Sequence, residues 1–345
     1  MPKRHVSQTE QQRKGQYYTT NSHTILQGFE HVVNEKIVID PFAGGGDLLD
    51  WSVENGAVNA IGYDLEPKRG DIVTKDTLDC FGYPNLENMV VVTNPPYLSK
   101  NKSKGAYESV FSRWEESDLY KCALASMVDA NEILIVLPSN FFCESRDSIR
   151  KRMFKTHHIV SAKYYSDPVF DNATTGIAVV HFRKGFREFQ SFDMNKDGVI
   201  LRNVELRKEY GYLYGADFFE YIKPVEGVLK VIKTDPDDVP NTNLVIGLLD
   251  NGRWSNGVKY NSGDPVRCAA KSFTTYQITL DKNCVVLTET EQMLIADTFQ
   301  EKLNMFRKQY SDLFLSNFMG PRQKILGRSY VHRLLERVMM DLDLL

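Results

Sequence analysis

A chain of 345 residues is long enough for two domains with separate cores, and its balance of 42% apolar to 25% charged residues excludes a largely disordered protein. The net charge of −3 does not by itself point to nucleic acid and leaves any phosphate contact to a local basic face. Five cysteines without a Cys-x-x-Cys pair and seven histidines without a His-Glu-x-x-His spacing give no metal pattern, so no metal is expected. No apolar run reaches membrane-spanning length and the start, Met1 to Gln8, lacks the apolar core of a signal peptide, which predicts an intracellular protein with no membrane partner.

Residues 1 to 14 are polar and basic and read as an arm. A helix is predicted from about Ser22 to Asn34, capped by Asn21 or Ser22, with Ile25, Leu26, Phe29, Val32 and Val33 apolar. Lys36 to Asp40 reads as a buried strand. Pro41, Phe42, Ala43 and the glycines Gly44 to Gly46 then form a loop, and an amphipathic helix starts at Asp47. Glycines let backbone approach a ligand closely, and amides at a helix start favour an anionic or polar group. Val58 to Asp64 is a second strand ending in a carboxylate, at roughly the 20-residue spacing at which nucleotide folds set an acid on ribose hydroxyls. Strand, glycine loop, helix, strand and acid together make a nucleoside site.

Met89 to Thr93 is a third buried strand, and it breaks into Asn94-Pro95-Pro96-Tyr97. The prolines fix φ and keep the residues before them extended, so the corner is stiff. Ligands of open α/β sheets bind beyond the carboxyl ends of strands, where this corner lies. Leu98 to Gly105, with Lys100, Lys102 and Lys104, is read as a mobile segment that closes over substrate, the plain alternative being a solvated loop. Helices near Asp118 to Asp129 and Ser145 to Thr156 and strands at Glu132 to Leu137, Ile159 to Tyr165 and Gly176 to Phe182 complete an alternation. That pattern predicts a mainly parallel, doubly wound α/β sheet.

Beyond about Gly185 turns and short strands dominate until Leu287, and helical patterns resume over Glu289 to Leu315 and Ser329 to Met340, as in a separate α+β domain. Asn251-Gly252 and Asn256-Gly257 flank Arg253-Trp254. The tryptophan is either buried or at a hairpin tip, and burial is the commoner fate of large aromatics. Basic clusters lie at Arg146, Arg150, Lys151, Arg152 and Lys155 and at Arg322, Lys324, Arg328, Arg333 and Arg337, any one of which has a solvated face as its plain reading.

Asp40-Pro41-Phe42-Ala43-Gly44-Gly45-Gly46 combined with Asn94-Pro95-Pro96-Tyr97 resembles the S-adenosylmethionine-dependent DNA adenine-N6 methyltransferases. Lys14-Gly15-Gln16-Tyr17-Tyr18-Thr19-Thr20 resembles the family's N-terminal cofactor motif. Val169-Phe170-Asp171, with Gly176 to Phe182, resembles its aromatic-bearing loop and strand. The motif order is that of the gamma subgroup, and the resemblance spans about residues 13 to 185.

The resemblance implies a Rossmann-like sheet with one antiparallel strand, a catalytic domain over residues 1–185 and a target-recognition domain over 186–345. It implies S-adenosylmethionine as cofactor, double-stranded DNA as partner, a monomer, and room for a cognate restriction endonuclease at the same DNA site. Tyr18, Thr19, Asp40, Phe42, Ala43, Gly44 and Gly46 would surround the methionine, Asp64 the ribose and Asp76 the adenine, with Asp71 and Asp79 as rivals of Asp76; Asn94 would border the cofactor. Asn94, Pro95, Pro96 and Tyr97 would be catalytic, and Tyr97 and Phe170 would stack on the extruded base. The alternative for Phe170 is a core residue. Lys100, Lys102, Arg322 and Lys324 are the candidates for DNA contact.

The chemistry suits the corner. The N6 amine of adenine is a weak nucleophile because its lone pair is conjugated into the ring, and acceptors aimed at its protons draw it towards tetrahedral geometry. The Asn94 side-chain oxygen and the Pro95 carbonyl are neutral acceptors fixed in place before the transition state. Asn-Pro-Pro-Tyr also occurs in methyltransferases of RNA adenine or protein glutamine. The Tyr17-Tyr18-Thr19 start and the long tail argue against the glutamine enzymes. Intact Asn94, Tyr97 and Asp64 argue against a fold that only binds.

Overall fold

The strand before the glycine loop, the one after the helix that follows it and the one before the proline corner are neighbours: β1 (Ile37–Asp40), β2 (Asn59–Asp64) and β4 (Met89–Thr93). They belong to a nine-stranded sheet with β3 (Val73–Thr74), β5 (Glu132–Pro138), β6 (His157–Tyr165), β7 (Ile177–Lys184), β8 (Gln190–Lys196) and β9 (Val199–Leu206), in the order β3-β2-β1-β4-β5-β7-β6-β8-β9. The computed structural model describes residues 19, 21–79, 88–144, 148–165, 169–170, 176–224, 231–233, 239–248, 257–263, 275–280, 286–310, 317–320, 323–325 and 327–344. The chain divides into two units, Met1–Phe141 with Ser145–Tyr212 and Phe142–Glu144 with Leu213–Leu345.

In the first unit β1 runs parallel to β2 on one side and to β4 on the other. Every residue of β4 and of β5 is buried, which is why these strands read as continuous apolar runs rather than alternating ones. After β1 the chain adds β2 and β3 on one side, then crosses to the other for β4 and β5. The loops after β1 and β4 therefore leave adjacent strands at the same end of the sheet, with the change of direction between them.

One reversed strand was expected and two are present. β7 is antiparallel to both β5 and β6; β8 then returns parallel to β6, and β9 is antiparallel to β8. The sheet thus continues past Gly185 to Leu206, and the first unit runs to Tyr212. The change of texture at Gly185 marks the connection that leaves β7 and passes β6 to reach β8, and local composition does not register that this strand rejoins the same sheet.

Helix α3 (Asp47–Glu54) buries Leu48, Leu49, Trp51 and Ser52 against this framework. It lies so close to β2 that a Cβ at Gly62 would come 2.6 Å from Leu49 Cδ1 and 2.9 Å from Ala43 Cβ. The single helix predicted over Ser22 to Asn34 is two short ones, α1 (Ser22–Ile25) and α2 (Glu30–Val33). Gly28 divides them at φ +95°, its amide donating to the Glu30 carboxylate at 2.9 Å. Asn21 occupies the cap position, but its side chain donates to the Val169 carbonyl at 3.0 Å.

The basic helix is α6 (Ser148–Met153), following α4 (Glu108–Trp114) and α5 (Leu119–Ser126). Its Arg150 is wholly buried, donating to the carbonyls of Phe141 and, at 3.2 Å, of Gly211, so that arginine serves the core and offers no face to phosphate.

The second unit contains helix α7 (Ala216–Tyr221) and an antiparallel sheet ordered β10 (Val231–Lys233), β13 (Thr275–Leu280), β11 (Leu244–Gly247), β12 (Gly257–Tyr260). A two-stranded ladder of β14 (Asn317–Gly320) and β15 (Gln323–Ile325) and helices α8 (Glu289–Tyr310) and α9 (Arg328–Asp341) complete what is described of it. Helix α8 starts with a capping box. The Thr288 amide donates to Glu291 Oε2 at 2.7 Å, and the Glu291 amide to Thr288 Oγ1 at 3.3 Å. Its buried residues, Gln292, Ile295, Ala296, Phe299, Leu303, Phe306 and Tyr310, recur every three or four positions.

Candidate active site

A cavity open to solvent lies where the loops after β1, β2 and β4 meet. Its walls include Thr19, Asp40, Phe42, Ala43, Gly44, Asp47, Asp64, Asp76, Asn94 and Pro96. Parallel pairing of β1 with both neighbours is what gathers these segments, because each leaves its strand at the carboxyl end.

The glycine loop is tied to the acid that closes β2. Gly44 N–H donates to Asp64 Oδ2 at 2.8 Å and Glu66 N–H to Oδ1 at 2.7 Å. Each carboxylate oxygen has two lone pairs, so Asp64 holds the loop and can still accept from a ligand hydroxyl. Asp40, 1% exposed, accepts from Phe42 N–H at 3.0 Å and from the Thr93 hydroxyl at 2.6 Å. Burial pushes its pKa up to about 7; the bonds from Thr93 and Phe42 oppose that rise, and the nearby Asp64 adds to it.

Gly46 precedes α3 at φ +89°. A Cβ there would collide with the guanidinium of Arg69, which is held by Asp50 at 2.7 Å and Asp71 at 2.6 Å. Of the three candidate acids for the adenine end, Asp76 lines the cavity, its Oδ1 accepting from Leu78 N–H at 3.0 Å. Asp71 is paired with Arg69 and Asp79 with Arg113, and neither lines the cavity.

At the proline corner, Asn94 is 9% exposed and lines the cavity with Pro96, while Pro95 is buried. Asn94 Nδ2 lies 3.0 Å from Thr19 Oγ1, and Tyr97 Oη lies 2.6 Å from Asn94 Oδ1 and 2.9 Å from Val136 O. The Tyr97 ring is half-buried, packed against the main apolar cluster and edge-on to Tyr120 at 6.4 Å and 90°.

Several expectations fall elsewhere. Phe170, 7% exposed, packs in the core with Val136, Ile177 and Val179 and is not among the residues of the cavity wall. The segment after the corner is anchored rather than loose. Lys100–Lys102 is a 3-10 turn, Lys100 N–H donates to Ser117 O at 2.8 Å, and Leu119 N–H donates to Leu98 O at 3.0 Å. Lys100 pairs with Glu108 at 2.7 Å and Lys102 is exposed. Tyr18, Arg322 and the Arg253-Trp254 pair lie outside the described residues; Lys324 is placed in β15 opposite Phe318.

Sequence reasoning missed Asp47, Leu65, Lys75, Thr77, Leu78, Tyr107, Val110 and Leu119, all on the wall. Leu65 and Lys75 were accessible as neighbours of Asp64 and Asp76. Tyr107, in a left-handed conformation at φ 64° before α4, carries no local signal. Among the described residues no group of three or more His, Cys, Asp or Glu could hold a metal ion, and no helix is long and apolar enough to cross a membrane.

No family model and no curated protein matches the chain by sequence. Among solved structures it is similar to a modification subunit assigned to a type I restriction enzyme from Vibrio vulnificus YJ016 (14% identity, TM-score 0.41, covering 60% of this chain and 51% of that one). It is also similar to the methyltransferase subunit of a type I restriction-modification system from Streptococcus thermophilus (18%, 0.37, 54% and 48%). A third is the type I restriction enzyme EcoKI M protein (16%, 0.37, 47% and 44%). The chain spans about half of each of these proteins, and at such scores the likeness assigns no function.

Proposed function

We propose that the protein is a site-specific DNA methyltransferase that moves the methyl group of S-adenosylmethionine to the exocyclic N6 of an adenine flipped out of duplex DNA. The observation that carries this reading is that Asn94 and Pro96 of the proline corner share one cavity with Gly44, Asp64 and Asp76. A nucleoside-binding set and the amide-bearing proline corner thus border the same space.

The wall fits the cofactor by its donor and acceptor chemistry. Asp64 would accept from ribose hydroxyls and Asp76 from an exocyclic amine, while Leu65, Leu78, Val110 and Leu119 supply apolar wall for a base. Asp40 and Asp47 offer carboxylates to an ammonium group, and Phe42, Ala43 and Gly44 offer close backbone. Once bound, S-adenosylmethionine supplies an electrophilic methyl on a sulfonium.

The chain's own groups do the rest. The Asn94 side-chain oxygen and the Pro95 carbonyl accept from the N6 protons and draw the nitrogen lone pair out of conjugation. Because the corner is stiff, little reorganisation accompanies the reaction. Extrusion of the base is required, since an amine inside a duplex cannot reach the wall. Lys100 and Lys102, on the turn after the corner, would meet phosphate. Target recognition falls to the second unit, with Arg322 and Lys324 as phosphate contacts and a cognate endonuclease sharing the site.

The test is incubation with methyl-labelled S-adenosylmethionine and unmethylated duplex DNA. Label in DNA, recovered as N6-methyladenine, is the expected result; label in protein or RNA, or none anywhere, overturns it.

A further inference from the structure

We infer that Lys163 and Tyr165 of β6 are positioning residues: they grip the backbone at the end of helix α1 and so set where Thr19, just before that helix, stands at the cavity wall. This rests on the methyl-transfer reading above and extends its cofactor site to two side chains outside the cavity.

A helix of four residues does not hold its own place. Helices this short are marginal in water, and their terminal carbonyls find no partner within the helix. At the end of α1 (Ser22–Ile25) those carbonyls are met by β6. Lys163 Nζ donates to Thr24 O and to Gln27 O, each at 3.2 Å, and Tyr165 Oη lies 2.6 Å from Thr24 O and 3.1 Å from Ile25 O. Lys163 and Tyr165 are two apart on one strand and share a face, with the ammonium 5.1 Å from the centre of the Tyr165 ring. Burial raises the Tyr165 pKa to about 12, which keeps the phenol a donor at neutral pH. Ahead of the helix, Asn21 Nδ2 donates to Val169 O at 3.0 Å.

The apolar side of α1 leaves a freedom that these bonds remove. Ile25 and Leu26 are buried in the main cluster with Val92, Val136 and Val179, but apolar contact is non-directional and lets a short helix slide or turn. Hydrogen bonds to carbonyls have direction, so they fix α1 on β6 at one end while Asn21 fixes it on Val169 at the other. Thr19 lies two residues before Asn21, is 5% exposed, lines the cavity and stands 3.0 Å from Asn94. Neither Lys163 nor Tyr165 is among the wall residues, and β5 and β7 stand between β6 and β4. Any effect the pair has on the cavity therefore passes through the segment it holds.

Two measurements on the full-length protein test this. Replacing both donors, Lys163→Met with Tyr165→Phe, keeps the alkyl stem and the ring. Backbone amide exchange at Thr24, Ile25 and Leu26 should then quicken about ten-fold, the scale of one lost hydrogen bond, while β5 and β7 exchange as in wild type. Unchanged exchange at α1, or equal quickening in β5 and β7, overturns the clamp whether or not the protein methylates DNA. By calorimetry the double variant should bind S-adenosylmethionine about ten-fold more weakly, and Lys163→Arg, which keeps donors for both carbonyls, should bind as wild type. In a Thr19→Ala background the same double replacement should cost less than about two-fold, within the error of independent additivity. Losses that multiply would separate the clamp from Thr19 and sink the proposal, as would wild-type affinity in the double variant. Wild-type protein that binds no S-adenosylmethionine would refute the cofactor reading, and the exchange data would still decide the clamp.

Discussion

The Gly44 amide and the Asp64 carboxylate are joined by a 2.8 Å hydrogen bond, so the loop after β1 and the acid at the end of β2 form one unit of the cavity wall. Asp64→Ala should therefore remove a ligand acceptor and loosen the loop together. Cofactor affinity, measured by calorimetry, is expected to fall about ten- to a hundred-fold, the range for one or two hydrogen bonds to a charged group. Unchanged affinity would remove Asp64 from the binding set.

Asn94→Ala separates chemistry from binding. Deleting one acceptor aimed at developing charge should cost about 10²–10³ in kcat, while the carboxylates that would hold the cofactor remain. Single-turnover methyl transfer and cofactor titration on the same preparation check this. A variant that turns over normally would exclude Asn94 from the reaction.

Gly46→Ala tests the loop backbone. At φ +89° an L side chain costs about 1–2 kcal/mol, and here the added methyl also meets the Arg69 guanidinium. The thermal midpoint should drop. Adding Arg69→Ala should recover only part of the loss, since the backbone strain remains. Full recovery in the double variant would show that the collision, not φ, sets the cost.

Acid stability should depend on Glu132. Burial acts to raise its pKa, but bonds from His181, Lys36 and Arg183 outweigh burial and hold it down at about 2, against 4.5 ordinarily. A depressed carboxyl contributes stability that is present above its unfolded value and lost as pH falls from about 4.5 towards 2. Glu132→Gln should flatten denaturant midpoints over that window; an unchanged slope would exclude this cluster as the cause.

Asp40 should act in the opposite sense. Its carboxyl is raised from 3.8 to about 7, so the native state holds a proton that the unfolded chain has released, and stability falls as pH rises between those values. Asp40→Asn keeps an oxygen for Thr93 and Phe42 and should remove this fall. The same midpoints followed from pH 4 to pH 7 measure it, and a fall as steep as in wild type would show that another group is responsible.

The elements of the site were legible because they are local. A run such as Val90 to Val92 buries itself on both faces, glycines at Gly44 and Gly46 mark positive φ, and prolines stiffen the corner whatever surrounds them. Tertiary structure alone decided how distant segments meet. Asp76 lines the cavity while Arg69 and Arg113 engage its rivals, and Phe170 packs in the core with residues of β5 and β7. Thr19 reaches Asn94 across 75 residues of sequence, and β9 reverses direction in a sheet that composition had already ended. Propensity and pattern act over a few residues, whereas hydrogen-bond partners are chosen by whichever groups the fold brings within 3 Å.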